Sequence, residues 1–162
     1  MFRYIPATLE LQERKWQKTV DAHPGDARWD NWRTEYRQYY ASGMARHFVV
    51  VDDDDPVGEG TLLFSPDCNA LEGRSELAQM GKIANINGLR IEKRYEGQGH
   101  ISKLVKAMEE YATQQGYKLM TIGVTNTHTR TKAIYNHLGY TQLVLAVPED
   151  DIIVEYYGKK LG

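Results

Sequence analysis

The chain has 162 residues, 41% of them apolar and 26% charged, which is usual for a soluble globular protein with one sizeable core. A net charge of −2 gives no general attraction to nucleic acid or to anionic lipid. The single cysteine, Cys68, excludes an intrachain disulfide, and no signal pattern or membrane-length apolar run is present. We therefore expect one cytoplasmic domain over residues 1–162.

The first 43 residues predict a short strand and two helices. A strand over Phe2–Ile5 precedes a helix that runs to about Val20, with Thr8 as its N-cap. The second helix covers about Ala27–Tyr40, and Gly43 is suited to end it. Its broad aromatic face favours burial in the core over a ligand role. The face consists of Trp29, Trp32, Tyr36, Tyr39 and Tyr40.

A hairpin and a long loop follow. Strands over Arg46–Val51 and Val57–Phe64 flank the acidic segment Asp52–Pro56. We interpret this segment as a solvated tip and not as a cation site, because adjacent strand residues point to opposite faces and the spacing does not suit a calcium loop. Ser65–Gly81 is a long loop with room for a short helix.

The second half of the chain alternates strands and helices. The apolar spacing from Ile101 to Ala112 is the clearest helical pattern, and Gly116 is suited to end it. A strand–helix–strand order of this length favours a parallel pair of strands. We expect an α+β fold with a mixed, mostly antiparallel sheet and helices on its faces. The other predicted elements are strands over Lys82–Glu92 and Leu119–Val124, a helix over Thr127–Leu138, and a hairpin of Tyr140–Val147 with Ile152–Tyr157.

The turn between the strand and the long helix carries two glycines, Gly97 and Gly99. The first N–H groups of a helix lack intrahelical partners, and the helix dipole favours an anion there. A pyrophosphate suits such a site, although a tight connection explains a strand–glycine–helix turn equally well. The P-loop pattern lacks its Lys-Ser/Thr pair, and the Rossmann fingerprint lacks its third glycine and its later acidic residue.

Two motifs at the expected separation resemble the GCN5-related N-acetyltransferase (GNAT) family. The first is the strand Leu89-Arg90-Ile91 with the glycine turn and its helix, and the second is the segment Ala133–Tyr140, where a helix ends in tyrosine before Gly-Tyr. The family signature is Arg/Gln-x-x-Gly-x-Gly/Ala. Arg94-x-x-Gly97-x-Gly99 fits this signature literally. The register of the following helix, which we prefer because it fixes six apolar positions, makes Gly99 the first glycine instead, so that Glu96 replaces Arg/Gln and Ile101 replaces the second glycine.

The resemblance implies a GNAT acyl-CoA N-acyltransferase fold with a splayed parallel pair, acetyl-CoA as cosubstrate and no metal. It places the acetyl-CoA-binding core at about 82–147, acceptor-side elements at about 8–81 and a C-terminal hairpin at about 140–159. Tyr135 is the implied general acid that protonates the CoA thiolate. The implied cofactor-binding residues are Leu89, Arg90, Ile91, Gly97, Gln98, Gly99, His100, Ile101, Ser102, Asn126 and Lys132.

The general base stays open among Glu59, Glu92, His128 and a water chain, because the strand position that carries glutamate in some family members is Asn85 here. We expect an N-acetyltransferase acting on a small-molecule or peptide amine. The alternative is a catalytically idle acyl-CoA-binding module of the same fold. The acidic residues near the hairpins mildly favour a cationic acceptor. Dimers are common among such folds, but no residue here indicates one.

Overall fold

The computed structural model describes every residue from Met1 to Gly162. It contains seven strands and four α-helices. The strands are β1 (Phe2–Pro6), β2 (Ala45–Asp52), β3 (Asp55–Leu63), β4 (Ile83–Ile91), β5 (Leu119–Thr125), β6 (Gln142–Glu149) and β7 (Ile152–Lys160). The helices are α1 (Leu9–Asp21), α2 (Ala27–Ser42), α3 (His100–Gln114) and α4 (Thr129–His137).

The strands form one mixed sheet in the order β1-β2-β3-β4-β5-β7-β6. The β4–β5 pair is parallel, and its register runs from Ile83 opposite Leu119 to Ile86 opposite Ile122. Both strands continue past this register, to Ile91 and to Thr125. The β1–β2, β5–β7 and β6–β7 pairs are antiparallel. The predicted α+β fold with a mixed, mostly antiparallel sheet is confirmed.

Local capping explains where the first two helices begin and end. The Thr8 hydroxyl accepts a hydrogen bond from the Leu11 N–H at 3.2 Å, and the Asp26 carboxylate accepts one from the Arg28 N–H at 3.1 Å. Each bond satisfies an N–H group that the helix itself leaves without a partner. Helix α2 ends at Gly43, whose φ of 75° lies in the left-handed region that favours glycine.

The chain divides into two compact units. One consists of Met1–Leu62 with Gly88–Met108, and the other of Leu63–Asn87 with Glu109–Gly162. Strand β4 therefore contributes residues to both. The first unit contains a buried cluster around Ala7, Val49 and Val51. The buried side chains of the second unit include Leu71, Leu77, Met120 and Tyr140. The single-domain expectation stays a prediction.

The structure differs from the sequence prediction in how deeply some apolar side chains are buried. No residue of α2 is fully buried, and Trp32 is 37% exposed, so its aromatic face is only partly covered. Met80, in the Ser65–Gly81 loop, is 59% exposed. The predicted short helix of that loop is one 3₁₀ turn at Asn69–Leu71. None of the four α-helices has the length and apolar character needed to cross a membrane.

Candidate functional site

The glycine turn exposes backbone at the start of α3. Gly97 has φ +74° and Gly99 has φ +84°, so both positions need the left-handed conformation that glycine adopts without strain. A Cβ atom built at either position meets nothing within 4 Å. The Gly99 carbonyl accepts a hydrogen bond from the Lys103 N–H at 3.2 Å, which makes Gly99 the cap of α3. The turn therefore opens onto free space at a helix N-terminus.

A chain of hydrogen bonds holds the turn in place. The Gln98 side-chain NH₂ donates to the Arg94 carbonyl at 3.2 Å, and the Gln98 Oε1 lies 3.2 Å from the His100 Nε2. The other ring nitrogen, Nδ1, lies 2.7 Å from the Tyr4 hydroxyl. With a proton on Nε2, the His100 ring donates to the Gln98 Oε1, and its Nδ1 accepts from the Tyr4 hydroxyl. His100 is buried, and its ring centroid lies 4.2 Å from that of Phe2. The predicted ligand residue His100 thus anchors the turn to β1.

The strand beside the turn presents different side chains on its two faces. The Leu89 and Ile91 side chains pack against β3 at two glycines, Gly60 and Gly58. A Cβ atom at Gly60 would lie only 2.9 Å from the Leu89 Cδ1, and a Cβ atom at Gly58 would lie only 2.6 Å from the Ile91 Cδ1. Arg90 lies between them in sequence and projects to the opposite face. There it contacts β3 at Glu59, between the two glycines.

Glu59 is the centre of a buried charged cluster. Its carboxylate lies 3.1 Å from the Lys15 ammonium, 3.4 Å from the Arg90 guanidinium and 3.6 Å from the His47 Nε2. The Thr19 hydroxyl donates to it at 3.2 Å. Burial alone would raise the pKa of Glu59, but the charges of Arg90 and Lys15 outweigh it and lower the pKa to about 2. Burial lowers the pKa of His47 to about 4, so this imidazole is neutral at pH 7.

Arg90 connects this cluster to the aromatic residues of α1 and α2. Its guanidinium carbon lies 5.5 Å from the Trp16 ring centroid and 5.1 Å from that of Trp29, both within cation–π range. The Trp16 ring also packs against Tyr36, with 5.4 Å between centroids. Trp29 of the α2 face and Trp16 of α1 therefore pack against the same arginine side chain.

Tyr135 lies near the C-terminus of α4 and is half-buried. Burial raises the pKa of its phenol, which therefore stays protonated at neutral pH. Tyr140, after the helix, is fully buried, and its hydroxyl donates to the Glu109 carboxylate at 2.7 Å. The Lys159 ammonium donates to the same carboxylate at 3.1 Å. Of the two motif tyrosines, Tyr140 thus has a structural partner.

Two predicted ligand residues of the second unit make contacts within the chain. The Asn126 side chain accepts a hydrogen bond from the Ile153 N–H at 3.2 Å, and its own N–H donates to the Ile153 carbonyl at 2.8 Å. The Lys132 ammonium lies 3.0 Å from the Glu155 carboxylate and 5.4 Å from the Tyr157 ring centroid. Both residues join the loop and helix after β5 to β7. Their roles toward a cofactor stay predictions.

The candidate bases have different surroundings in the structure. Glu59 is a buried ion-pair partner whose low pKa makes it a weak proton acceptor. Glu92 lies 2.6 Å from the Lys18 ammonium. His128 is exposed and precedes α4. Asn85 is buried and donates to the Thr121 hydroxyl at 2.9 Å. No group of three or more His, Cys, Asp and Glu side chains is arranged to hold a metal ion.

The sequence interpretation named Arg90 as a cofactor-binding residue and Glu59 as a candidate base, but it did not bring the two side chains together in a charged cluster. Residues from α1, β2, β3 and β4 meet there, and no spacing along the chain indicates such a meeting. One signal was present: Glu59 stands between two glycines in an otherwise buried strand. A carboxylate in that position needs buried partners.

The family model described as acetyltransferase (GNAT) family matches residues 5–140 of the chain. The chain therefore belongs to the GNAT family of acetyltransferases, as the two sequence motifs indicated. No curated protein matches the sequence significantly.

Solved structures share the fold at low sequence identity. A protein of Desulfovibrio desulfuricans assigned to the GNAT family is 12% identical over 100% of both chains, with a TM-score of 0.77. The ribosomal-protein-S18-alanine N-acetyltransferase of Escherichia coli is 9% identical, with 100% of this chain and 95% of that chain covered and a TM-score of 0.72. An aminoglycoside 6'-N-acetyltransferase complexed with coenzyme A is 15% identical over 100% and 97% of the two chains, with a TM-score of 0.69. These similarities establish the GNAT fold and leave the acceptor open.

Proposed function

We propose that the chain is an N-acetyltransferase that transfers the acetyl group of acetyl-CoA to a primary amine of a small molecule or peptide by direct attack. The observation that carries this proposal is the open glycine turn at the N-terminus of α3, in a chain of the GNAT family. The buried free thiol of Cys68 suits a reducing compartment, and we place the reaction in the cytoplasm.

The turn fits the pyrophosphate of CoA. The backbone N–H groups from Gly97 to Ser102 supply donors, and the dipole of α3 adds positive potential. Gln98 and His100 keep this backbone in place through their own hydrogen bonds. The carboxylate of Glu96 is exposed beside the turn and weakens the positive potential. The backbone of Leu89, Arg90 and Ile91 would pair with the pantetheine arm.

Tyr135 is the proposed general acid. Its phenol is protonated at neutral pH, since the ordinary pKa of tyrosine already lies well above 7 and burial raises it further. The same burial penalises any anion formed beside it, so a thiolate leaving group there is more basic than in water. The proton can then pass from the Tyr135 hydroxyl to the CoA sulfur as the bond from sulfur to the acetyl carbon breaks.

The amine must attack as the neutral base. Glu59 is not assigned to this step, because Lys15 and Arg90 hold its carboxylate. We propose that water removes the proton from the amine, with no dedicated base among the three candidates. Asn126 and Lys132 are proposed to support the cofactor side of the site from the loop and helix after β5.

The test compares the wild-type protein with Tyr135→Phe in CoA-binding calorimetry and in a CoA-release assay over a panel of amines. We expect both proteins to bind CoA with similar affinity. Turnover should fall by about 10²-fold or more in the variant, the usual contribution of a general acid. CoA binding without release from any amine would support the idle acyl-CoA-binding module instead. No binding of CoA by the wild-type protein would contradict both functions.

A further inference from the structure

The charged cluster around Glu59 carries an uncompensated positive charge. Lys15 and Arg90 are cations, Glu59 is the only carboxylate within 4 Å of either, and His47 is neutral at pH 7. The cluster therefore holds two positive charges and one negative charge. Its exposure is uneven: 34% of the Arg90 side chain is exposed, against 7% for Lys15 and 1% for Glu59. The excess charge thus reaches solvent at Arg90.

Three residues meet where Arg90 reaches the surface. A Cβ atom built at Gly88 would lie 3.5 Å from the Arg90 Nη2 and 3.8 Å from the Tyr36 hydroxyl. The Arg90 guanidinium and the Tyr36 hydroxyl oxygen therefore lie on either side of the position that a side chain at Gly88 would occupy. The Arg90 Nε is buried and has no hydrogen-bond partner. The rings of Trp16 and Trp29 contact the same guanidinium. We call Arg90, Tyr36, Gly88 and these two rings the Arg90 corner.

We infer that the Arg90 corner binds a carboxylate of the acceptor, so that the acetylated substrate is an amine that carries a carboxylate group. The identification of the ligand as an acetyl acceptor rests on the proposed function, but the binding of a carboxylate at the Arg90 corner does not depend on catalysis. A carboxylate-bearing acceptor differs from the cationic acceptor that the acidic residues near the hairpins favoured in the sequence. Those aspartates have partners elsewhere: Asp52 accepts from the Tyr95 hydroxyl at 2.8 Å, and Asp55 pairs with Lys18 at 2.8 Å.

The charge count favours a carboxylate over a phosphate monoester. One monoanion would neutralise the cluster, whereas a phosphate dianion would leave it negative beside the buried Glu59. A guanidinium also binds the two oxygens of a carboxylate in one plane. Glu59 and the two tryptophan rings restrict the Arg90 side chain, so binding orders little additional structure.

The experiment measures tryptophan fluorescence during titration with glycine, β-alanine, γ-aminobutyrate and ε-aminocaproate, each paired with its carboxamide. The series varies the distance between amine and carboxylate, and each carboxamide keeps the amine but removes the charge. We expect at least one amino acid to bind about tenfold or more tightly than its carboxamide, since hydrogen bonds to a charged group are the strong ones. Arg90→Gln should abolish the preference, and Tyr36→Phe should weaken it by about threefold or more.

The control variant is Arg28→Gln. It also removes one arginine of the first unit, but this arginine pairs with Asp26 at 2.8 Å and is 73% exposed. It should leave the preference unchanged. Equal binding of acid and carboxamide across the series, or a preference that survives Arg90→Gln, would overturn the inference. If Arg90→Gln does not fold, Arg90→Lys replaces it: loss of the planar two-point contact should weaken the preference by about threefold or more, and an unchanged preference would overturn the inference.

CoA release with the same compounds separates this inference from the proposed function. A carboxylate preference in binding without CoA release would support the Arg90 corner and contradict acetyl transfer to these amines. CoA release at equal rates from acids and carboxamides would support acetyl transfer and contradict carboxylate binding at the Arg90 corner. If the protein both prefers a carboxylate and transfers the acetyl group, kcat/KM for the preferred amino acid should exceed kcat/KM for its carboxamide by about tenfold. In Arg90→Gln the two values should become equal.

Discussion

The glycine turn and the Arg90 corner belong to the same compact unit but present opposite kinds of surface. The turn offers backbone N–H groups, and a Cβ atom at Gly97 or Gly99 would meet open space. The Arg90 corner offers a partly exposed guanidinium held between a buried carboxylate and aromatic rings. The turn is made by a single continuous segment, whereas the Arg90 corner is made by residues of the three elements α1, α2 and β4.

The difference explains what each surface can recognise. Backbone donors at a helix N-terminus suit any phosphate group, so the turn fits a ligand shared by a whole family. A guanidinium held by one carboxylate and two indole rings suits a particular anion of the chain's own substrate. We therefore expect substitutions in the turn to lower the free energy of unfolding less than substitutions in the charged cluster behind Arg90.

The largest expected effect is that of Glu59→Ala. The substitution leaves Lys15 and Arg90 without their counter-charge, and breaking a buried ion pair from one side costs about 3–5 kcal/mol. Urea unfolding would measure the loss. The matched control is Glu10→Ala on the exposed side of α1, where the Arg14 pair spans 3.9 Å and the change should stay within about 0.5 kcal/mol. A loss below about 1 kcal/mol for Glu59→Ala would contradict a stabilising buried ion pair between Glu59 and its two cations.

The second expected effect is a pH dependence from His47. Its pKa is about 4 in the folded protein against an ordinary 6.5. The unfolded chain therefore binds a proton that the folded protein excludes, and stability falls as the pH is lowered from 6.5 to 4. The loss amounts to about 3 kcal/mol over that window. Glu59, with a pKa lowered from 4.5 to about 2, adds a further loss below pH 4.5.

The variant His47→Gln isolates the histidine contribution. Unfolding in urea at pH 7 and at pH 5 should show a clear loss of stability for the wild-type protein and little change for the variant. Glu59 contributes little in this interval, because both its folded and its ordinary pKa lie below it. Equal pH dependence of the two proteins would mean that His47 is not held neutral by burial.

The third effect concerns the turn. In Gly99→Ala an L-residue must adopt φ +84°, which costs about 1–2 kcal/mol, or the turn relaxes. We expect CoA affinity to fall by about tenfold if that cost is relieved by moving the N–H donors. Gly43→Ala is the control: it has a similar φ of +75° and equally open space, but it ends α2. It should lower stability alone, and an equal loss of CoA affinity in both variants would contradict the role of the turn.

The smallest effect is expected from Glu96→Gln. The substitution removes a negative charge beside the turn and restores a residue type of the family signature. A charge at a helix N-terminus is worth about 0.3–1 kcal/mol, so CoA affinity should rise by about two- to fivefold at low salt. Calorimetry at two salt concentrations would measure it, since the gain should shrink as salt screens the charge. An unchanged or lower affinity would show that Glu96 does not act on the pyrophosphate site.

The elements that form continuous segments were the ones that the sequence predicted. The Thr8 cap, the Gly43 stop, the apolar stripe of α3 and the glycine turn each depend on neighbours within one or two turns, and each is found in place. The Arg90 corner was not predicted, because its geometry depends on how α1, α2, β3 and β4 pack. The aromatic face of α2 looked like core for the same reason: periodicity shows that a face is covered but not by what.

Acetyl transfer to an amine is best tested by analysis of the products. The protein would be incubated with acetyl-CoA carrying an isotope-labelled acetyl group and with the four amino acids and their carboxamides, and the products would be analysed by mass spectrometry. We expect a labelled N-acetyl amide, formed preferentially from a carboxylate-bearing amine and strongly reduced with Tyr135→Phe. The absence of any labelled amide, while CoA still binds, would contradict the account.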